Sequence, residues 1–119
     1  MPLDQPVVQE TWQSPTLLNN WANFGGTFNS AGFWLDSVGV VHFRGVIFGG
    51  VSNTQLFSLP IGYRPTATEA LMTWSFSSSM GYQVGRVDVS ADGAVRCTVG
   101  SSTGVTGAFF LDGLTFRAA

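Results

Sequence analysis

The sequence predicts a single all-β domain, built as an antiparallel β-sandwich or a barrel-like head. Three observations lead to this prediction. The chain has 119 residues, which is the size of one domain. Helix signals are nearly absent, because glycine, serine and threonine interrupt every candidate run of apolar residues. Short runs rich in valine, phenylalanine, threonine and tryptophan alternate with turn residues, a pattern typical of sandwiches and barrels.

The clearest predicted element is a β-hairpin over residues 83–100. On its first strand Val87 and Val89 alternate with polar residues, so one face is expected to be buried. The segment 91–93, Ala-Asp-Gly, predicts the turn, since glycine readily supplies a positive φ. The second strand repeats the alternation at Val95, Cys97 and Val99.

A second hairpin is predicted over residues 27–48, with its turn at 36–39. The strand at 40–48 is largely apolar on both faces, which indicates a central strand or one trapped between layers. We therefore expect it near the core or at an interface between copies of the chain. Gly45 lies inside this strand and predicts a bulge or the close approach of another backbone.

Three further strands are predicted at 55–59, 70–77 and 108–117. The strand at 70–77 carries two sets of side chains on opposite sides: Leu71, Thr73 and Ser75, and Met72, Trp74 and Phe76. Asp112-Gly113 predicts a kink or bulge in the last strand. Residues 61–65 are expected to form a loop, because Pro60 and Pro65 cannot donate to a strand ladder. Exposed loops are expected at 77–79 and 100–107.

The composition predicts self-association and argues against nucleic-acid binding. Charged residues make up 10% of the chain and hydrophobic residues 45%, so a lone copy would expose much uncharged surface. The alternative is a monomer coated in serine, threonine, asparagine and glutamine. The net charge is −2, and the five basic residues are scattered arginines, which form no patch for phosphates.

The sequence carries no signal for a disulfide, a metal site or a membrane segment. Cys97 is the single cysteine and is expected to be a small buried residue in a strand. No apolar run reaches the roughly 18 residues of a membrane span. The N-terminus lacks the basic start and apolar block of a signal peptide. No metal, cofactor or membrane insertion is expected.

Catalysis is not expected from the ionisable residues. His42 is the only histidine and lies between two apolar residues of a predicted strand, with no nucleophile motif elsewhere. Most of the seven carboxylates fall in predicted turns or near the N-terminus, which leaves Asp88 and Glu69 as a free pair with no sign that they meet. Turnover of a glycan by an enzyme would have to depend on Asp88, Glu69 or His42.

Binding of a saccharide is the remaining candidate activity. Trp34, Trp74 and Tyr82 are candidates to stack on a sugar ring, because an aromatic face matches the apolar side of a pyranose. The alternative is that these aromatic residues belong to the core or to subunit contacts. For Trp12 and Trp21 a structural role is expected.

The first residues differ from the domain at 10–119. Residues 1–9 contain Pro2 and Pro6, which discourage regular structure, so we expect an extended arm that becomes ordered against a neighbour. A frayed terminus is the alternative. The expected anchoring residues are Leu3, Pro6, Val7 and Val8.

The order of several short motifs resembles the C-terminal head domain of tailed-phage receptor-binding and minor tail proteins. The resemblance covers nearly the whole chain from Glu10 onward. Its motifs are Glu-Thr-Trp at 10–12, Leu-Asn-Asn-Trp-Ala-Asn at 18–23, Gly-Val-Val-His-Phe-Arg-Gly at 39–45, Leu-Pro-Ile-Gly-Tyr-Arg-Pro at 59–65, Val-Asp-Val-Ser-Ala-Asp-Gly at 87–93 and Phe-Leu-Asp-Gly-Leu-Thr-Phe at 110–116.

The resemblance implies a β-sandwich or barrel-like head, a homotrimer and attachment of the virus particle to a host-surface glycan. It implies no particular saccharide-binding residue, since its motifs consist of tryptophans, tight turns and a proline loop. The residues to which it gives a structural role are Trp12, Trp21, Gly45, Pro60, Gly62, Tyr63, Arg64, Pro65, Asp92, Gly93, Asp112 and Gly113.

A second role follows from the position of the domain in the chain. Similar head domains usually end a longer chain with a shaft, whereas Met1 here lies only a few residues before the domain. A complete chain without a shaft is expected to be a decoration or cement protein on the capsid or tail, docked through residues 1–9. Either role places the protein on the virion surface, at the tail tip or capsid exterior, after synthesis in the host cytoplasm.

Overall fold

The computed structural model describes residues 10–78, 80–98 and 107–119 in full, together with the backbone of Val99. Within these residues the chain forms ten β-strands. Their bounds are β1 Ala22–Asn23, β2 Gly32–Leu35, β3 Val40–Arg44, β4 Val46–Phe48, β5 Gln55–Ser58, β6 Glu69–Ser77, β7 Gly81–Val89, β8 Ala94–Val99, β9 Ala108–Phe110 and β10 Thr115–Arg117. No helix in the described part of the chain is long and apolar enough to cross a membrane.

The strands form two antiparallel sheets. A curled seven-stranded sheet has the order β1-β4-β9-β6-β7-β8-β5, and a three-stranded sheet has the order β10-β3-β2. The predicted all-β class is confirmed, and the architecture is compatible with a sandwich or a barrel. The predicted anchoring residues Leu3, Pro6, Val7 and Val8 lie outside the described residues, as do position 79 and most of the loop at 100–107.

The hairpin of β7 and β8 is confirmed. Its turn is closed by hydrogen bonds from the Ser90 amide to the Ala94 carbonyl and from the Gly93 amide to the Ser90 carbonyl, both 2.9 Å long. Gly93 adopts a φ of 92°, and the Asp92 carboxylate accepts a hydrogen bond from the Ala94 amide. Its inward residues are fully or almost fully buried: Val87, Val89, Val95 and Cys97. Burial raises the pKa of the Cys97 thiol.

The predicted close approach at Gly45 is confirmed and divides the long apolar strand in two. β3 belongs to the small sheet and β4 to the large sheet. Gly45 has a φ of 112°, and a Cβ there would lie 2.6 Å from the backbone of Ala31. Only glycine therefore fits where the chain crosses between the sheets. Among the flanking residues, Val41, Phe43, Val46 and Ile47 are buried in the core of the chain itself.

The turn after β9 holds this crossing in place. The Gly45 amide donates to Asp112 Oδ1 at 2.7 Å, and the Gly45 carbonyl accepts from the Leu111 amide at 2.8 Å. Gly113 follows with a φ of 79°. The predicted kink at Asp112-Gly113 is confirmed, and it ends β9 in one sheet before β10 begins in the other.

Aromatic side chains fill the core. The ring of Phe43 lies edge-on to the rings of Phe57 and Phe116, with centroids 5.6 and 5.5 Å apart. Trp21 is buried, its indole N–H donates to Thr54, and its ring packs edge-on to Phe109. These contacts agree with the structural role expected for Trp21.

The proline loop is also confirmed. Gly62 has a φ of 97°, and the Tyr63 amide donates to the Pro60 carbonyl. Arg64 Nε donates to the Leu59 carbonyl at 2.9 Å, and the Arg64 carbonyl accepts from the Ala119 amide. The loop thus joins the end of β5 to the last residue of the chain.

Gly45→Ala is expected to destabilise the fold strongly. The added methyl group meets the Ala31 backbone and the residue must keep a positive φ, so the free energy of unfolding should fall by about 3 kcal/mol. Gly62→Ala is the matched control, because its φ of 97° is close to that of Gly45 but no atom lies within 4 Å of the new Cβ. It should lose only about 1 kcal/mol. Urea unfolding measures both variants, and equal losses would contradict a steric role for the crossing.

Candidate functional site

The long hairpin of β6 and β7 carries its large apolar side chains on the side away from the core. On β6, Thr73 and Ser75 are buried, whereas Met72 and Trp74 are exposed. On β7 the exposed positions include Tyr82 and Val84. We call this side of the seven-stranded sheet the outer face.

The inward positions are small because a phenylalanine ring occupies the space beneath them. A Cβ on Gly85 would lie only 3.0 Å from Cε2 of Phe109, and Gly85 pairs with Thr73 across the two strands. The Thr73 hydroxyl donates to the Phe110 carbonyl at 2.5 Å. Packing of this chain therefore explains the small inward residues, but it does not require aromatic residues on the outer face.

Trp74 and Tyr82 lie close together on this face. Trp74 pairs with Val84 and Phe76 with Tyr82, so Trp74 and Tyr82 are diagonal neighbours within reach of each other. The side chain of Trp74 is 57% exposed and that of Tyr82 is 70% exposed. Phe76 supports Tyr82 by an edge-on contact, with ring centroids 5.0 Å apart.

A second group of aromatic residues faces them. The rings of Phe28 and Phe110 pack edge-on with centroids 6.3 Å apart. Phe24 contacts Phe28 at 5.4 Å and Phe48 at 5.3 Å, again edge-on. The aromatic surface thus continues from the hairpin across β9 to β4.

An open groove of about 550 Å³ lies between the two groups. Its lining residues are Phe28, Thr73, Trp74, Tyr82, Phe110 and Asp112. We call it the aromatic groove. The sequence pointed to Trp74 and Tyr82, which the structure brings together here. It did not point to Phe28 or Phe110, and it gave Asp112 only a structural role. The groove forms where β9 pairs with β6 and β4 and where the Phe28 ring packs on Phe110, which are contacts between distant segments.

Trp34 does not share this environment. Its side chain is only 9% exposed, and its ring stacks on that of His42 with centroids 4.4 Å apart. The edge of Trp12 covers it further, and Arg44 lies over the Trp12 ring at 4.4 Å. The position of Trp34 does not suit stacking on a sugar, and its ring contacts are those of a structural residue.

His42 and Asp36 form a pair at the β2–β3 turn. His42 Nε2 lies 2.8 Å from Asp36 Oδ2, and Asp36 Oδ1 accepts hydrogen bonds from the Val38 and Val40 amides. The hydrogen bond from His42, followed by those two amides, lowers the pKa of Asp36 despite its partial desolvation. The pair closes the turn between two strands.

The other candidate acids do not converge. Asp88 pairs in register with Ala70, whereas Glu69 pairs with Val89, so the two side chains leave opposite faces of the sheet. Asp88 instead forms an exposed ion pair with Arg86 at 2.9 Å. Among the residues that the structure describes, no group of three potential metal ligands occurs.

Glu10 fastens the start of the domain to the core. Its Oε1 accepts hydrogen bonds from the Leu35 amide at 2.8 Å, the Tyr63 hydroxyl at 2.9 Å and Gln13 Nε2 at 3.2 Å. The Leu35 amide contributes most to lowering the pKa of Glu10, against a partial desolvation. Desolvation and the neighbouring carboxylate raise the pKa of Tyr63.

Comparison with models of protein families, with curated proteins and with solved structures finds no match to this chain. The arguments for function therefore rest on the geometry of the site and on the motifs of the sequence.

Stability is expected to fall in acid because of Glu10. A carboxyl whose pKa is lower in the folded state stabilises the fold above its unfolded pKa of 4.5, and that contribution disappears as the pH falls through the folded value. In Glu10→Gln the stability of the fold should decrease less steeply below pH 4.5 than in the unmodified chain. The decrease that remains is due to Asp36 and other acids. Thermal unfolding between pH 7 and pH 2.5 measures this. Identical profiles for both proteins would contradict the assignment.

Proposed function

We propose that this chain is a virion-surface head domain of a tailed bacteriophage and that it binds host-surface saccharide in the aromatic groove. The observation that carries the saccharide part is the pair of exposed rings, Trp74 and Tyr82, beside an open groove of about 550 Å³. The phage part is supported by the ordered motifs of the sequence, from Glu-Thr-Trp at 10–12 to Phe-Leu-Asp-Gly-Leu-Thr-Phe at 110–116.

The chemistry of the groove suits a sugar ring. Aromatic faces cover the apolar side of a pyranose, and a few fixed polar groups orient its hydroxyls. Here Trp74 and Tyr82 supply the rings, while the Asp112 carboxylate supplies an acceptor at the margin. Phe110 and Phe28 form an apolar wall that keeps water from one side of the ligand.

Trp74→Ala and Tyr82→Ala are each expected to weaken binding of host cell-wall polysaccharide at least tenfold, or about 1.4 kcal/mol, through lost stacking. Both side chains are exposed, so the thermal unfolding midpoint should change little. Isothermal titration measures the affinity.

Ile61→Ala is the matched control, because Ile61 is an apolar residue that is 85% exposed on the proline loop, outside the groove. Its affinity should equal that of the unmodified chain. Full affinity in both aromatic variants, or no affinity of the unmodified chain for any host-surface fraction, would overturn the proposed function.

The proposed assembly is a homotrimer. Its support is the low charge content of 10% and the size of the apolar surface. Six aromatic side chains of the outer face and its margin are between 37% and 70% exposed, which amounts to roughly 600 Å². This area is at the upper end of the range found for the largest apolar patch of a typical monomer. Met72 and Val84 add to it. Part of this surface lies outside the aromatic groove, at Phe24, Phe48, Met72 and Val84, and is free to contact another copy.

Contacts between copies around Met72 and Val84 would leave the aromatic groove open. These two residues line a separate hollow of about 320 Å³ with Arg86 and Thr98. A trimer of this kind combines assembly and saccharide binding on one face.

Met72→Glu is expected to dissociate the trimer, because each copy would place a new carboxylate in an apolar contact, and the opposite residue, Arg86, is already paired with Asp88. Light scattering at micromolar concentration should show trimers for the unmodified chain and for the control Ile61→Glu, and monomers for Met72→Glu. Saccharide binding should persist in the monomer. A stable monomer of the unmodified chain would refute the trimer.

A decoration or cement protein is the second candidate, and the apolar extent of the outer face favours it. Phe24, Phe48, Met72 and Val84 lie beyond the aromatic groove, and their exposure suits a protein partner better than a sugar. In this role residues 1–9 anchor the trimer to the particle. Particle association without affinity for saccharide, lost on deletion of residues 1–9, would replace the first proposal with this one.

A further inference from the structure

We infer that the aromatic groove selects uncharged and amino-bearing pyranosides and rejects acidic ones. The inference rests on the proposed function and adds the charge class of the ligand. It follows from which ionisable groups face the groove and from how firmly one of them is held.

Among the residues that the structure describes, Asp112 is the one acidic side chain that lines the groove, and no arginine lines it. Asp112 is exposed at the groove margin. Its Oδ1 accepts the hydrogen bond of the Gly45 amide at 2.7 Å, and the adjacent Leu111 amide binds the Gly45 carbonyl. The carboxylate is therefore held in one orientation by the crossing between the sheets, and a ligand need not order it on binding.

All five arginines lie within the described residues, and three of them make contacts away from the groove. Arg86 pairs with Asp88 at 2.9 Å, and Arg44 lies over the ring of Trp12 on the small sheet. Arg117 donates to the Val38 carbonyl. An acidic sugar or a phosphate group needs such a cation to offset its desolvation, so neither fits this groove.

An amino group on the sugar is instead favoured by the groove, because it can bind the Asp112 carboxylate. A protonated amine beside Asp112 forms a charge-assisted hydrogen bond, which is stronger than one between neutral groups. A neutral sugar still stacks on Trp74 and Tyr82 and can donate a hydroxyl to the carboxylate. The net charge of −2 adds repulsion of acidic polysaccharide at longer range.

The test uses tetramers of three sugars: glucosamine, N-acetylglucosamine and galacturonic acid. Isothermal titration of the full chain at low ionic strength should give the highest affinity for the glucosamine tetramer, about tenfold above that for the N-acetylglucosamine tetramer. The galacturonic acid tetramer should not bind. The tenfold preference should shrink in high salt.

Asp112→Asn removes the negative charge but can keep the hydrogen bond to Gly45, because the asparagine oxygen can still accept from the Gly45 amide. In this variant the tenfold preference for glucosamine over N-acetylglucosamine should disappear, because the affinity for glucosamine falls by a larger factor than that for N-acetylglucosamine. Thermal unfolding serves as the check that the crossing is intact.

Binding of the galacturonic acid tetramer as tightly as the others, equal affinity of both proteins for glucosamine, or no affinity for any tetramer would overturn the inference. The proposed function fails separately, if the unmodified chain and Trp74→Ala bind host cell-wall polysaccharide equally well.

Discussion

The two hydrogen bonds between Gly45 and the turn at Leu111-Asp112 connect the parts of this structure. They fix the point where one long apolar strand leaves the small sheet and enters the large one. The same turn ends β9 and allows β10 to return to the small sheet. The crossing also orients the Asp112 carboxylate at the margin of the aromatic groove. These two hydrogen bonds therefore join the two sheets and position a polar group of the candidate site.

Local patterns in the sequence predicted most of the fold. The hairpin of β7 and β8 followed from alternation and from Asp92-Gly93, since register and turn are both set by neighbouring residues. The division of the strand at Gly45 was predicted as a close approach, but the sequence did not show that the two halves enter different sheets. That outcome depends on Ala31 and Asp112, which lie far from Gly45 in the chain.

The candidate site was predicted only in part, because it too depends on contacts between segments that are far apart in the chain. Alternation placed Trp74 and Phe76 on one side of β6, but it could not say which side is buried. The small residues Thr73 and Ser75 face the core because the Phe109 ring occupies the space there, which is a contact between distant segments. Trp34 has the same residue type and a similar strand context as Trp74, yet Trp12 and His42 cover its ring.

The Phe109 ring beneath Gly85 also affects how readily the outer face can acquire substitutions during evolution. Because the core is complete without them, the side chains of Met72, Trp74, Tyr82 and Val84 contribute little to folding, and substitutions at these positions leave the inner packing untouched. Mutations can therefore accumulate on the outer face at low cost to stability, while residues such as Gly45 and Phe109 tolerate almost none. In a protein that meets variable external surfaces, this division lets new binding preferences evolve on a constant scaffold.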